Sequence, residues 1–292
     1  MYPQAKPEQT WTILSVIEWS AKHLASQGFE DSRLNVELLL GHVLQLSRVH
    51  LYTQYDRSLD QSELSAFKTC LHRRLAHEPL QYIIGEAEFM GVPLFVNSGV
   101  LIPRPETEVL VESALQALHA DGKAGLSVLD IGTGSGNIPI AIGLRSPDAN
   151  VTSLDISKDA LETAERNLAR HHIKNVTLLQ ADVFTDFLPD QSFDLIVSNP
   201  PYIAADEFET LQPEVRDFEP KIATTDGGDG LKFIRRISDI ASEKLRQGGW
   251  LFMEIAYNQA EEARNIATTR GFADVEVLND LSGIPRIIRG RK

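Results

Sequence analysis

The segment Asn199-Pro200-Pro201-Tyr202 directly follows six residues, 193–198, that have the apolar pattern of a buried strand. Strand ends in parallel sheets are where α/β proteins place their active sites. Proline fixes its own φ at about −65° and pushes the preceding residue to an extended conformation, so this segment is stiff. A stiff segment of this kind can hold a planar NH2 group. Asn199 Oδ1 and the Pro200 carbonyl would accept its two protons, and Tyr202 would stack on its face.

The same tetrapeptide is also typical of an ordinary rigid turn after a strand. Asn-Pro and Pro-Pro are common loop dipeptides, and they need no chemical role. On four residues alone, the amide-binding segment and the structural turn both remain open. The remaining motifs of the chain are needed to decide between them.

A glycine-rich turn, residues 130–136, closes the first predicted strand of the second half and opens a helix. Glycine lets a backbone approach a ligand and adopt conformations that a Cβ forbids. A dinucleotide fingerprint anchored on Gly132 and Gly134 would place its third glycine at 137, but that residue is Asn137. A purely structural turn is the alternative. We favour a nucleoside-type cofactor, with these candidate contacts: Gly132, Thr133, Gly134, Ser135 and Gly136.

Two acids follow the next two predicted strands. Asp155 ends the second strand about twenty residues after the glycine turn, where a carboxylate can accept from both ribose hydroxyls. It is also a possible helix cap, although Ser157 suits that role better. Asp182 would accept from an adenine amine, with Val183 against the ring face, but aspartates are also common in turns after strands. Together with the Asn199 segment, these motifs fall at the ends of four successive strands.

The pattern along the chain predicts a small helical domain followed by a doubly wound α/β domain. Residues 1–80 show apolar spacing typical of helices, at 11–19, 36–46 and 61–76. Residues 81–104 read as a strand-rich hairpin linker that turns at Gly91. Residues 105–292 form the main domain, beginning with a helix that ends near His119.

Strand and helix patterns then alternate, which predicts a seven-stranded, mainly parallel sheet. The last two strands are separated by too few residues for a crossover, so we expect an antiparallel hairpin at the sheet edge. The predicted strands are 126–131, 150–155, 176–180, 193–198, 250–255, 274–278 and 284–289. The predicted helices between them are 138–144, 158–171, 231–245 and 259–270.

Composition limits the partners and the compartment. The 292 residues include 28 Lys and Arg against 41 Asp and Glu, a net charge of −13. Nucleic-acid binding depends on clustered cations, so a general DNA or RNA binder is disfavoured. Cys70 is the one cysteine, which excludes an intrachain disulfide and a thiolate metal cage. No apolar run has membrane-spanning length, and we expect a cytoplasmic protein. We also expect it to be a monomer and to hold no metal.

These motifs resemble S-adenosylmethionine-dependent methyltransferases that act on amino nitrogens, whose signature is Asn/Asp-Pro-Pro-Tyr/Phe. The resemblance to the bacterial peptide chain release factor glutamine methyltransferases, the HemK/PrmC type, is more specific. It spans nearly the whole chain and implies a Rossmann-like class I methyltransferase fold with a small helical domain for substrate recognition. Some members carry an aromatic residue at the position of Val183. The segments that carry this resemblance are 101–108, 199–203, 218–220 and 228–231.

The resemblance implies methylation of the side-chain amide nitrogen N5 of the glutamine in the Gly-Gly-Gln loop of class 1 release factors. S-adenosylmethionine would be the methyl donor. The implied catalytic residues are Asn199, Pro200 and Tyr202, with Asn199 also near the cofactor. The implied substrate contacts add Pro201, Arg104 and Glu106, although a proline and acids at 105–108 also make a good helix start.

Two other functions fit parts of the pattern. An enzyme that methylates an adenine or guanine amine in nucleic acid would use the same tetrapeptide on a flipped base. The net charge and the lack of an interleaved basic and aromatic region argue against it. The other of these two functions is that of a non-catalytic protein that binds the cofactor and acts as a partner of the ribosome or release factor.

Overall fold

The computed structural model describes residues 10–120, 124–186 and 190–292. These residues form two compact units that divide between Ile84 and Gly85. Each unit has its own apolar core. Among the described helices, none combines the length and apolar character needed to cross a membrane.

In the described part of the first unit, residues 10–84, five helices surround one core. Thr12 caps the first helix, and Asp60 with Glu63 forms a capping box on the fourth. Ile17, Leu39 and Phe67 lie in the core that joins these helices. The helices are α1 (Ile13–Ser26), α2 (Ser32–Leu44), α3 (Arg48–Thr53), α4 (Gln61–Leu75) and α5 (Leu80–Ile84).

The three helices predicted for this unit are confirmed, but the strand predicted at 81–85 is wrong. Residues Leu80–Ile84 form α5, and the hairpin begins only at Glu86. The Pro79 carbonyl accepts hydrogen bonds from Tyr82 and Ile83 at 3.1 Å, which starts a helical turn. Burial of Ile83 in the helical core outweighs the strand preference of a β-branched residue. The short α3 was also not predicted.

The hairpin of the second unit turns where the sequence predicts. Strands β1 (Glu86–Phe89) and β2 (Val92–Phe95) pair antiparallel, with Met90 and Gly91 at the turn. Both turn residues have positive φ, 51° at Met90 and 79° at Gly91. A two-residue turn with positive φ at both positions matches the twist of a hairpin. Glycine at the second position makes this turn accessible at low cost.

Among the described residues, the second unit is built on a seven-stranded sheet. Its strands are β3 (Ser127–Ile131), β4 (Asn150–Asp155), β5 (Val176–Gln180), β6 (Phe193–Ser198), β7 (Leu245–Glu254), β8 (Ala273–Asn279) and β9 (Pro285–Arg291). They lie in the order β5-β4-β3-β6-β7-β9-β8. All seven predicted strands are confirmed, and β8 and β9 form the antiparallel hairpin at one edge. β9 lies between β7 and β8 and pairs antiparallel with both.

Helices cover both faces of this sheet. They are α6 (Pro105–His119), α7 (Asn137–Arg145), α8 (Lys158–Arg170), α9 (Pro213–Arg216), α10 (Lys221–Thr224), α11 (Lys232–Lys244) and α12 (Ala260–Thr269). Side chains of a strand alternate between faces, so Val197 packs toward α6, α7 and α8, while Ile196 packs toward α11 and α12. Three short elements between β6 and β7 were not predicted: a 3-10 turn (Phe208–Thr210), α9 and α10.

Strand order reverses at β3. The chain passes from β3 outward to β4 and β5, then returns to place β6 on the other side of β3. Connections leave the sheet in opposite directions at such a point, which opens a crevice at the carboxyl ends of the strands. The predicted motifs follow β3, β4, β5 and β6, so they all lie at this edge.

Asn167 of α8 joins the hairpin to the glycine turn. Its Oδ1 accepts from the Phe95 N–H at 2.7 Å, and its Nδ2 donates to the carbonyls of Phe95 and Ser135 at 2.9 and 2.8 Å. The side chain is fully buried. One amide therefore satisfies three backbone groups that would otherwise lack partners in the interior.

Replacing this amide tests the role directly. We expect Asn167→Ala to lower the free energy of unfolding by about 3 kcal/mol, because one buried and two partly buried backbone groups lose their partner. Urea denaturation followed by circular dichroism measures the change. Asn265→Ala, at an exposed position of α12, is the matched control and should change stability by no more than about 0.5 kcal/mol. Equal stability of the two variants would contradict the assignment.

Candidate active site

A cavity of about 330 Å³ opens at the carboxyl edge of the parallel strands. Residues from all four predicted motifs line it, so the structure brings the glycine turn, both acids and the proline segment together. The predicted residues on its wall are Gly132, Gly134, Asp155, Asp182, Val183, Asn199, Pro200 and Pro201. Sequence reasoning missed other lining residues, among them Gly99, Leu101, Phe184, Pro220, Ile222, Asp226, Lys232 and Phe233.

The glycine turn has two kinds of residue. Gly132 and Gly134 line the cavity with φ of 87° and 53°, a region that other residues rarely adopt. Gly136 serves packing: an added Cβ would lie 3.2 Å from the Cβ of Ala164. The side chains of Thr133 and Ser135 are buried beneath the turn, and Thr133 bonds Ser153 at 2.7 Å. Of the five predicted contacts in the turn, Thr133, Ser135 and Gly136 therefore shape the turn and do not line the cavity.

Asp155 fixes the turn while it lines the cavity. Its two carboxylate oxygens accept from the N–H groups of Gly134, at 3.0 Å, and Ser157, at 2.9 Å. Burial raises the pKa of this carboxyl, and the backbone donors partly offset the rise. Ser157 caps α8 by accepting from the Ala160 N–H, as predicted. Each carboxylate oxygen keeps acceptor capacity beyond these bonds.

The part of the cavity wall formed by the residues that follow β5 combines one acid with aromatic rings. Asp182 Oδ1 accepts from the Phe184 N–H at 2.9 Å, and Val183 is buried against the cavity. Phe184 packs edge-on against Phe233 at a centroid distance of 5.1 Å, with Lys232 Nζ 4.6 Å from its ring. The aromatic ring of this wall thus comes from the residue after Val183. The signal was present in the sequence as a phenylalanine directly after the predicted contact.

The Asn199 side chain is held by a buried hydrogen-bond network. Its Nδ2 donates to Thr107 Oγ1 at 3.0 Å. Thr107 donates onward to Glu254 Oε2 at 2.6 Å, and the Tyr202 hydroxyl donates to Glu254 Oε1 at 3.1 Å. Among the described residues, no donor is bonded to Asn199 Oδ1. Tyr202 is half-buried, and its ring does not line the cavity.

Burial raises the pKa of two carboxyls, that of Glu254 in this network and that of Asp130 in β3. It raises the pKa of Glu254 to about 7, while hydrogen bonds from Thr107 and Tyr202 oppose the rise. Burial likewise raises the pKa of Asp130 to about 7, although that carboxyl accepts from Ser153 at 2.6 Å. Thr107 and Glu254 were both missed. The sequence signal for Glu254 was its place at the end of the apolar run of β7, because an acid is rarely buried unless it has a hydrogen-bonding partner.

Arg104 and Glu106 occupy different environments. Arg104 donates to the buried Glu219 at 2.6 Å, which ties the start of α6 to the segment before Pro220 on the cavity wall. Burial raises the pKa of Glu219, and the guanidinium partly offsets the rise. Glu106 is half-buried near the network, where its charge contributes to the raised pKa of Glu254.

The backbone at the end of the proline segment is hydrogen-bonded to residues 224–230, some of which also line the cavity. Ile203 donates to the Thr224 carbonyl at 3.1 Å, and Gln259 Nε2 donates to the Tyr202 carbonyl at 2.8 Å. Gly230 has no room for a side chain, since an added Cβ would lie 2.5 Å from that same carbonyl. These contacts hold the proline segment and residues 224–230 in a fixed relation.

Comparisons with known proteins agree with this geometry. Two family models match the chain, the PrmC N-terminal domain over residues 15–85 and a methyltransferase domain over residues 122–223. Among solved structures, a methyltransferase from Pyrococcus furiosus aligns with a TM-score of 0.52 at 16% identity. That alignment covers 70% of this chain and 90% of the other and shows a shared fold.

Curated relatives extend the match over nearly the full length. A release factor glutamine methyltransferase of Geobacter sulfurreducens is 46% identical over 287 residues, which is 98% of each chain. The protein of the same name from Chlorobaculum tepidum is 41% identical and covers 96% of this chain and 97% of its own. On this identity and coverage, the chain belongs to the release factor glutamine methyltransferase family.

Proposed function

We propose that this chain transfers a methyl group from S-adenosylmethionine to the side-chain amide nitrogen of the glutamine in the Gly-Gly-Gln loop of class 1 release factors. The observation that carries the proposal is the Asn199 amide. Its NH2 group is bonded within the protein, and its Oδ1 remains as an acceptor beside the cavity. An acceptor at this place suits a substrate that brings two N–H protons.

The cavity residues fit the proposed cofactor. Asp155 presents carboxylate oxygens to the cavity for ribose hydroxyls, and the half-buried Asp182 presents a carboxylate for an amine. Val183 and Phe184 supply apolar surface for a purine ring, and Gly132 leaves room because it has no side chain. When bound, S-adenosylmethionine supplies an electrophilic methyl group on a sulfonium. The fit rests on the chemistry of these groups.

Orientation is the main contribution of the protein to the reaction. An amide nitrogen is a poor nucleophile, because its lone pair is delocalised into the carbonyl. We propose that Asn199 Oδ1 and the Pro200 carbonyl accept the two N–H protons, which aims the nitrogen and favours positive charge developing on it. A methylated, cationic amide loses a proton readily, so a dedicated base is not required. Pro201 keeps the segment rigid.

The role of Asp155 is open to direct measurement. Asp155→Asn keeps the size of the side chain but removes its charge and one acceptor oxygen. We expect it to weaken S-adenosylmethionine binding about 10- to 100-fold, because a hydrogen bond to a charged group contributes about 1.5–3 kcal/mol. Isothermal titration calorimetry gives the affinity. Asp148→Asn, at an exposed turn before β4, is the matched control and should bind normally. Unchanged affinity in Asp155→Asn would remove the ribose assignment.

The transfer itself is tested with purified release factor. Mass spectrometry after incubation with S-adenosylmethionine should show one added methyl group on the loop glutamine, and none when that glutamine is replaced. We expect Asn199→Ala to lower kcat about 10²- to 10³-fold, the effect of losing a positioned polar group at a reacting centre. Asn265→Ala serves as the control and should retain full activity. Methylation of RNA or DNA without methylation of release factor would refute the proposal.

We also propose that the helical domain, residues 1–80, recognises the release factor. Residues 81–104 would link it to the methyltransferase domain at 105–292, and the enzyme would act as a cytoplasmic monomer. Large apolar side chains are exposed on the helical unit, including Val49 at 70% and Tyr55 at 54%. Exposed aromatic residues are common anchors of protein interfaces.

The recognition role predicts a change in KM without a change in kcat. We expect Tyr55→Ser to raise KM for release factor about tenfold, which corresponds to losing one interface anchor. Steady-state kinetics at varied release factor concentration measures this. Leu281→Ser, an exposed apolar position between β8 and β9, is the control. If KM is unchanged in Tyr55→Ser, this surface is not part of the interface.

A further inference from the structure

We propose that Thr107 and Glu254 are positioning residues that set which way the Asn199 amide faces, through a chain of hydrogen bonds with one fixed direction. The inference rests on the proposed function for its kinetic consequences and on the geometry of the network for its structural ones. It assigns a purpose to two buried polar side chains that do not line the cavity.

The network joins three separate elements. Thr107 lies in the first turn of α6, Glu254 ends β7, and Asn199 follows β6. Thr107 and Glu254 are 0% and 1% exposed, so water does not compete for their hydrogen bonds. The three bonds measure 3.0 Å from Asn199 to Thr107, 2.6 Å from Thr107 to Glu254 and 3.1 Å from Tyr202 to Glu254.

The direction of these hydrogen bonds follows from the number of hydrogens that the three side chains can donate. An ionised carboxylate only accepts, so Thr107 must donate its single hydroxyl hydrogen to Glu254. Thr107 Oγ1 can then only accept from Asn199, which requires that Asn199 present its NH2 group. Asn199 Oδ1 therefore faces away from Thr107. Turning the amide over would place two acceptors against each other in the interior, a costly arrangement.

Tyr202 reinforces the same direction. Burial raises the pKa of its hydroxyl above the ordinary value, so the hydroxyl stays protonated and donates to Glu254. Both carboxylate oxygens of Glu254 therefore receive hydrogens. The tyrosine of the Asn-Pro-Pro-Tyr segment thus supports the asparagine of the same segment through a residue of another strand.

Protonation of Glu254 would remove the fixed direction. The neutral acid carries a hydrogen that it can donate to Thr107, and Thr107 can then donate to Asn199 Oδ1. The groups that face Glu254 are Thr107 of α6, Tyr202 after β6, Glu106 of α6, whose charge raises its pKa, and Arg286 of β9, which lowers it. With a pKa of about 7, the active carboxylate form is lost as pH falls through that value. Methyl transfer should accordingly rise with pH across neutrality.

A purely structural role of the network is the competing explanation, and matched variants separate the two. Thr107→Val keeps the shape of the side chain and removes the hydroxyl, while Thr107→Ser keeps the hydroxyl and removes a methyl group. Glu254→Gln keeps the shape but introduces an NH2 group that can donate to Thr107. A structural role makes the effects follow stability. An orienting role makes them follow the presence and direction of the hydrogen bond.

Steady-state methylation of release factor over pH 5.5 to 9 provides the kinetic test. We expect Thr107→Val and Glu254→Gln to lower kcat about 10- to 100-fold, as misplacement near a reacting centre does, with KM for release factor within about twofold. Thr107→Ser should exceed Thr107→Val at least tenfold. The rise near pH 7 should disappear in Glu254→Gln but persist in Asp130→Asn, the other carboxyl with a pKa of about 7. Equal kcat in Thr107→Val and Thr107→Ser, or an unchanged pH profile in Glu254→Gln, would overturn the proposal.

An independent readout does not depend on activity. In protein labelled with 15N-asparagine, the Asn199 NH2 signals are assigned by their loss in Asn199→Ala. We expect their hydrogen exchange to be slow in the wild type and in Thr107→Ser, and at least tenfold faster in Thr107→Val. The same exchange rate in all three overturns the orienting role. If the wild type does not methylate release factor but these exchange rates differ as expected, the proposed function fails and the network stands.

Discussion

The pairing of β3 with β6 at the centre of the sheet is the constraint on which the site depends. Because β4 lies on one side of β3 and β6 on the other, the connections diverge there and leave a crevice. The parallel direction of β3 to β6 then brings four sequence-distant motifs to one edge. Burial on both faces fixes this arrangement, since a slip of one residue would move every side chain of a strand to the wrong face.

Within that frame, the site is held by buried polar groups and not by apolar packing alone. Asp155 fixes the glycine turn, Asn167 fixes the turn to the hairpin, and Glu254 fixes the Asn199 amide. Burying such groups is unfavourable unless each is hydrogen-bonded. In return, a satisfied network allows few alternative arrangements. The cavity wall is therefore rigid where orientation matters, and the raised pKa values of Glu254 and Asp155 are the electrostatic consequence.

Sequence patterns predicted the sheet well because short strand-like segments alternate regularly with helical patterns along the second unit. They failed where tertiary contacts override local preference, as at α5, whose residues favour a strand but begin a helix at Pro79. The site residues likewise divide into those that local sequence predicts and those that depend on tertiary contacts. Residues at strand ends were predictable from their position in the fold. Thr107 and Phe184 sit beside predicted residues yet were missed, because their roles depend on partners such as Glu254 and Phe233 that are distant in sequence.

Hydrogen-bond direction also explains why this chain requires an amide at position 199. With the Thr107 hydrogen committed to the Glu254 carboxylate, position 199 must donate on one side and accept on the other. A carboxylate there would place an acceptor against Thr107, which has no hydrogen left to give. It would also add a second buried negative charge near Glu254. A carboxylate at position 199 accepts substrate protons as well as an amide does, so the cavity alone does not choose between them. In this chain, the choice of asparagine is made by the network behind the cavity.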